Sequence, residues 1–149
     1  MIKTILGIVL ACSIATIAGK AQAEAQYAHL FNDPVAQTEF MKGQIRRTFQ
    51  KYGEAVVQRA IRVAACESSG TPNGHILHWD AAGNLLPNRE GGQARASFQV
   101  MSVLHRPDLD RRGLSINVLA DYMEFVEYLY KRNGSFQDWY PSEYCWSYA

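Results

Sequence analysis

The chain has 149 residues, 48% hydrophobic and 19% charged, which suits one ordinary domain with a filled core and excludes a compositionally disordered chain. Fifteen Lys and Arg against 14 Asp and Glu leave a formal charge of +1, with no basic surplus of the kind a nucleic-acid surface needs. The sequence has neither a 20–50-residue repeat nor a low-complexity tract, which excludes solenoids and linker arrays.

The first 23 residues have the order of a secretory signal peptide: the basic start Met1-Ile2-Lys3, an apolar stretch from Thr4 to Gly19, and the small-x-small pattern Ala21-Gln22-Ala23. Cleavage after Ala23 is expected, leaving a domain of residues 24–149 in the periplasm or outside the cell. The apolar stretch falls slightly short of a membrane span. Leu10-Ala11-Cys12 offers an alternative lipoprotein cleavage site, although the apolar run continues past Cys12. Cleavage after Ala23 removes Lys3 and Lys20 and no acid, so the remaining chain carries 13 basic and 14 acidic groups. It also keeps two cysteines, Cys66 and Cys145. In an oxidising compartment two such cysteines suggest one disulfide, the alternative being two buried thiols. The four His residues are scattered, and His75 and His78 lie in a stretch that reads as loop or strand, so no metal site and no cofactor is expected.

Beyond the signal, Asp33-Pro34 is a helix start, Asp as N-cap and Pro at the first helical position. Val35, Phe40, Met41, Ile45, Phe49 and Tyr52 follow at helical spacing until Gly53. A second helix from about Glu54 carries the broad apolar stripe Val56, Val57, Ala60, Ile61, Ala64 and Ala65, and must stop at Gly70 and Pro72. The turn-rich stretch 71–95 predicts a short hairpin, His75–Trp79 against Leu85-Leu86 around Asp80–Asn84, with Pro87 confining its second strand to an edge. Ala96–Leu104 reads as a short buried element. Ser115 is placed to cap a long helix running to Asn133-Gly134 with Leu119, Tyr122, Met123, Val126, Leu129 and Tyr130 inward. The tail W-Y-P-S-E-Y-C-W is too aromatic for a free end and should fold back. Trp79, Trp139, Tyr140 and Trp146 can fill the core or stack on sugars, and core filling is expected for most. The fold expected is mainly α, with at most a short β-hairpin beside a cleft.

One residue stands out chemically. Glu67 closes the apolar helix after V-A-A-C. A helix C-terminus carries partial negative charge and apolar walls desolvate, and both disfavour an ionised carboxylate. A Glu kept protonated near neutral pH is what general-acid cleavage of a glycosidic bond requires.

A-A-C-E-S-S-G followed by A-S-F-Q-V-M resembles the lysozyme-like superfamily, most closely its lytic transglycosylase branch. Glu67-Ser68 matches that branch's E-S motif, Ala96–Met101 its G-L-M-Q-V motif, and Asp121-Tyr122-x-x-Phe125-x-x-Tyr128-Leu129, loosely, its later helical motif. C-E-S and the aromatic ending are also similar to the small secreted resuscitation-promoting factors, in which the Cys before the catalytic Glu is disulfide-bonded to a distant Cys. Three departures stand in the chain. Ala96 replaces the usual Gly, Asp121 and Phe125 replace Asn and Gly, and the interval from Glu67 to Gln99 is long, implying an inserted loop over the cleft.

The resemblance implies an α+β lysozyme-like domain, expected to be a monomer, that cleaves the MurNAc-β-1,4-GlcNAc bond of peptidoglycan strands with Glu67 as single acid/base. Ser68, Gln99 and Tyr128 are candidate substrate-binding or positioning residues, with backbone capping for Ser68 and a core-edge amide for Gln99 as alternatives. A hydrolase would need a second carboxylate; Asp80 and Glu90 both lie in the loop region where one could sit, and Asp80, in the expected hairpin, is the candidate unless it is simply a turn Asp. A non-catalytic module that binds glycan or serves as a structural part of an envelope-spanning assembly is the other alternative, against which the intact Glu67 speaks.

Overall fold

Asp33 opens helix α1 (Pro34–Phe49): its carboxylate accepts the Ala36 N–H at 2.9 Å, and Pro34 occupies the first turn. The computed structural model describes residues 25–148. The expected export signal, 1–23, and Cys12 lie outside the described residues. Met41, Ile45 and Phe49 of α1 are fully buried, whereas Val35, expected inward, is 63% exposed. Its place is taken by two polar residues, Gln37 and Thr38, which face a backbone needing partners. Gln37 Oε1 accepts the N–H groups of His78 and Trp79, and Thr38 Oγ1 accepts that of Ile76 at 3.0 Å. These bonds dock the 75–79 segment on the helix and satisfy buried polar groups on both sides.

Helix α2 (Glu54–Ser69) packs beside α1 and buries Val57, Ala60, Val63, Ala64 and Ala65. It stops at Gly70, whose φ of +82° is a left-handed C-cap conformation, with its N–H donating to Cys66 O at 2.8 Å. Thus the Cys-Glu-Ser-Ser segment forms the last turn of a buried helix, as the sequence predicts.

The expected hairpin is displaced. The 80–84 turn closes, and Trp79 bridges Leu85, but the ladder goes no further along Leu85-Leu86 than one bond, Leu86 N to His78 O at 2.9 Å. Pro87 lacks an N–H and instead contributes a single bridge, to Arg95. The strands are β1 (Ala94–Arg95) and β2 (Val100–Met101), antiparallel, with Ala94 opposite Met101 and Arg95 opposite Val100. Their loop, Ala96–Gln99, and Val100 after it are the buried part of the element expected over Ala96–Leu104, but burial ends there: Met101, Val103 and Leu104 are exposed.

Helix α3 (Arg106–Arg112) leads to α4 (Leu119–Asn133), which buries Leu119, Tyr122, Met123, Phe125, Val126 and Leu129. Ser115 does not cap α4. It closes a turn ahead of it, with its own N–H donating to Asp121 Oδ2 at 3.0 Å, and Val118 precedes the helix. After a 3-10 turn at Gln137–Ser142, the short α5 (Glu143–Trp146) folds back with Trp139 and Trp146 buried. The domain is therefore mainly helical with a small two-stranded sheet. Among the described residues no helix is long and apolar enough to cross a membrane.

Candidate active site

Glu67 sits half-buried in the last turn of α2, and every group that acts on its carboxyl arrives from elsewhere in the chain. Desolvation pushes its pKa above the ordinary Glu value, opposed by a hydrogen bond from Ser142 and by the nearby Arg89 guanidinium. Ser142 Oγ contacts Glu67 Oε1. The same hydroxyl lies 3.0 Å from the Trp139 carbonyl and receives the Trp146 indole N–H at 3.1 Å. The disulfide between Cys66 and Cys145, whose Cα atoms are 6.0 Å apart, ties this aromatic tail to α2.

Arg89 was not legible as a site residue, because its setting, R-E-G-G, reads only as turn. Its Nη1 donates to Ser69 O at 3.0 Å, capping an orphan carbonyl at the end of α2. A Cβ on Gly70 would lie 2.5 Å from Arg89 Nη2. Gly70 is thus required by its backbone conformation and also leaves the guanidinium its room. The cation at this helix end offsets the partial negative charge of the carbonyls beside Glu67.

Gln99 reaches the site indirectly. Its amide donates to Ala96 O at 2.9 Å and its Oε1 accepts from Asn88 Nδ2 at 3.1 Å. Asn88 Oδ1 in turn accepts the N–H of Glu90 at 2.8 Å, so Gln99 shapes the 88–92 turn that carries Arg89. The Ala96–Gln99 loop is clamped from both sides at Phe98. Its N–H donates to the Tyr122 phenol at 2.8 Å, and its carbonyl accepts the Trp139 indole N–H at 2.7 Å. Tyr122 is fully buried, which raises its pKa mainly by desolvation, with a smaller upward push from Glu67. This places the α4 phenol within electrostatic reach of the carboxyl. Ala96 and Gln99 both have positive φ, 63° and 49°. Such conformations favour glycine, so both side chains sit on backbone that an L residue adopts at a cost.

The remaining candidates lie elsewhere. Ser68 is buried, and its hydroxyl is committed to backbone: Ala64 O at 2.8 Å, His75 O at 2.9 Å and Leu77 N at 3.2 Å. It caps and docks the helix end, the backbone-capping alternative, and its hydroxyl is not hydrogen-bonded to the Glu67 carboxyl. The Asp80 carboxylate accepts the N–H groups of Ala82 and Asn84, each at 2.9 Å, inside its own turn. It is not among the groups that shift Glu67. Tyr128 packs under the Arg112 guanidinium, 3.6 Å from its ring centre, and beside Arg132 at 5.7 Å, an arrangement within the α3–α4 face. His78 is buried and neutral, its pKa lowered to about 3 by desolvation, with its ring edge-on to Tyr122. Trp79 is buried and stacks on Tyr27 at 4.9 Å, so it fills core, while Tyr140 is 69% exposed.

Two surface grooves run beside these elements. One of about 570 Å³ is lined by Tyr27, Trp79, Arg95, Arg106 and Asp110, and another of about 690 Å³ by Lys42, Arg46, Arg62 and His75. Glu67 lines neither. Comparison with protein-family models, curated proteins and solved structures finds no match to this chain.

Proposed function

We propose that this chain is an exported lytic transglycosylase that cleaves the MurNAc-β-1,4-GlcNAc bond of peptidoglycan with Glu67 as its single acid/base. The observation that carries the reading is the half-buried Glu67 carboxyl, raised by desolvation at the end of a buried helix, with one oxygen on Ser142 and a cation beside it. The upward shift favours the protonated acid, and Arg89 steadies the carboxylate once that proton leaves. The E-S and A-S-F-Q-V motifs and the signal-like N-terminus point to the same substrate.

In the proposed reaction Glu67 donates its proton to the bridging oxygen as the bond from C1 of the muramic sugar breaks, releasing a free hydroxyl on the leaving sugar. The carboxylate then takes the proton of the muramic C6 hydroxyl, whose oxygen bonds to C1 and closes a 1,6-anhydro ring. No water is consumed, and Glu67 ends in its starting state. One carboxyl suffices because the nucleophile belongs to the substrate. Hydrolysis through Asp80 is less well supported, since both Asp80 oxygens bond within the 80–84 turn.

Mass spectrometry of purified peptidoglycan after incubation tests the reading. Anhydro-muropeptides that vanish with Glu67→Gln are expected. Reducing-end products would replace it with a muramidase, and the absence of any product would leave a glycan-binding module.

A further inference from the structure

The Ser142 hydroxyl has one hydrogen and two lone pairs, and three neighbours compete for them. Trp146 Nε1, at 3.1 Å, can only donate, so it takes one lone pair. The Trp139 carbonyl, at 3.0 Å, can only accept. The third neighbour, Glu67 Oε1, can do either, according to where the carboxyl keeps its proton. Among the described residues Oε1 is the Glu67 oxygen that is hydrogen-bonded, and nothing described bonds Oε2.

Resting on the acid/base reading of Glu67, we propose that Ser142 is its positioning residue. Ser142 donates to Oε1, making that oxygen the acceptor, so that the transferable proton is carried on Oε2. Once Oε2 has given up its proton, the bond to Oε1 becomes charge-assisted and holds the carboxylate in place to take a proton back. The Trp139 carbonyl is not left bare in this state, because the Trp146 indole N–H also reaches it, at 3.3 Å. The second indole contact thus lets the serine hydrogen go to Glu67 Oε1 without stranding the Trp139 carbonyl. Tethering through Cys145, three residues on, keeps the serine in register with the residue that follows Cys66.

The proposal is tested on the full exported chain with Ser142→Ala and the near-isosteric pair Ser142→Thr and Ser142→Val. Glutamate carboxyls are labelled with carbon-13 and titrated by NMR, and the Glu67 resonance is assigned by its loss in Glu67→Gln. Loss of a hydrogen bond to the charged form raises the Glu67 midpoint by about one pH unit in the Ala and Val proteins. Ser142→Thr keeps the wild-type midpoint. On peptidoglycan the same two variants lose about tenfold in kcat with KM unchanged, the signature of a misplaced acid rather than lost substrate contacts. If Ser142→Ala does not fold, the Thr–Val difference decides, since the two side chains have nearly the same shape. A Glu67 midpoint that is the same in Thr and Val overturns the proposal. A midpoint that moves while the wild-type protein releases no glycan fragments keeps the Ser142 relationship and removes the transglycosylase reading instead.

Discussion

Cys66 and Cys145, bonded with their Cα atoms 6.0 Å apart, each stand beside one half of the Glu67–Ser142 contact. Glu67 directly follows Cys66, and Ser142 lies three residues before Cys145. The disulfide therefore closes a 79-residue separation at the point where the acid and its hydroxyl partner meet. Covalent and hydrogen-bonded links to the tail converge on one helix turn.

Cys66→Ser with Cys145→Ser, or reduction, should lower stability by about 4–5 kcal/mol in the chain-entropy treatment of a loop this long. Urea denaturation with and without reductant measures it. Proton exchange at the Trp146 indole should speed up in the reduced protein, because the tail is then held by packing and by hydrogen bonds, among them those to Phe98, Glu67 and Arg62. A reduced protein with an unchanged midpoint would show that packing alone fixes the tail.

Glu67 also predicts a stability signature independent of catalysis. Its folded pKa is raised, so the folded state binds the proton more tightly than the unfolded chain, and the stabilising contribution is present below the ordinary value of 4.5. That contribution is lost as pH rises through the raised folded pKa. Glu67→Gln should consequently match the wild-type protein at pH 4 and exceed it in stability at pH 8. Paired thermal or denaturant melts across this range check the sign. Activity as an acid should fall over the same interval as the proton leaves.

Asp80 should behave as a turn residue. Asp80→Asn keeps a side-chain oxygen to accept the Ala82 and Asn84 N–H groups, so fold and glycan cleavage should be retained within about tenfold. Asp80→Ala removes that acceptor and should cost about 1 kcal/mol of stability. Loss of several orders of magnitude in Asp80→Asn would instead indicate a two-carboxylate hydrolase.

Ala96 gives a test of backbone strain. At φ 63° an alanine pays a penalty that glycine does not, about 1–2 kcal/mol. Against this, Ala96→Gly gives up a fully buried methyl, worth about 0.8 kcal/mol. A small net stabilisation, below about 1 kcal/mol, is expected from denaturant midpoints. Ala96→Val should destabilise clearly, because a β-branched side chain is strained at positive φ and the site is closed.

Much of the fold was legible from local chemistry. The Asp33-Pro34 start, the stop at Gly70, the apolar face of α4 and the fold-back of an aromatic tail follow from capping, backbone permissiveness and periodicity, which act over a few residues. The prominence of Glu67 followed in the same way, since a carboxylate closing an apolar helix is visible in sequence. Other features depended on chain segments meeting in space. Val35, expected inward, is exposed while Gln37 is buried, because the 75–79 backbone arrived on that side of α1 with donors to satisfy. Strands formed at 94–95 and 100–101, where Tyr122, Trp139 and Gln99 brace the loop between them, instead of around the 80–84 turn. Ser142 and Arg89 carry no local mark of function: one lies in a polar-aromatic tail and the other in a glycine turn. They became part of the Glu67 site only through tertiary placement. The sequence alone determined which residue could be an acid and where its helix ends. The partners of that acid, and the oxygen left free on it, were decided by the disulfide and by the packing of Trp139 and Trp146, because hydrogen bonds between residues 75 positions apart exist only once the chain has folded.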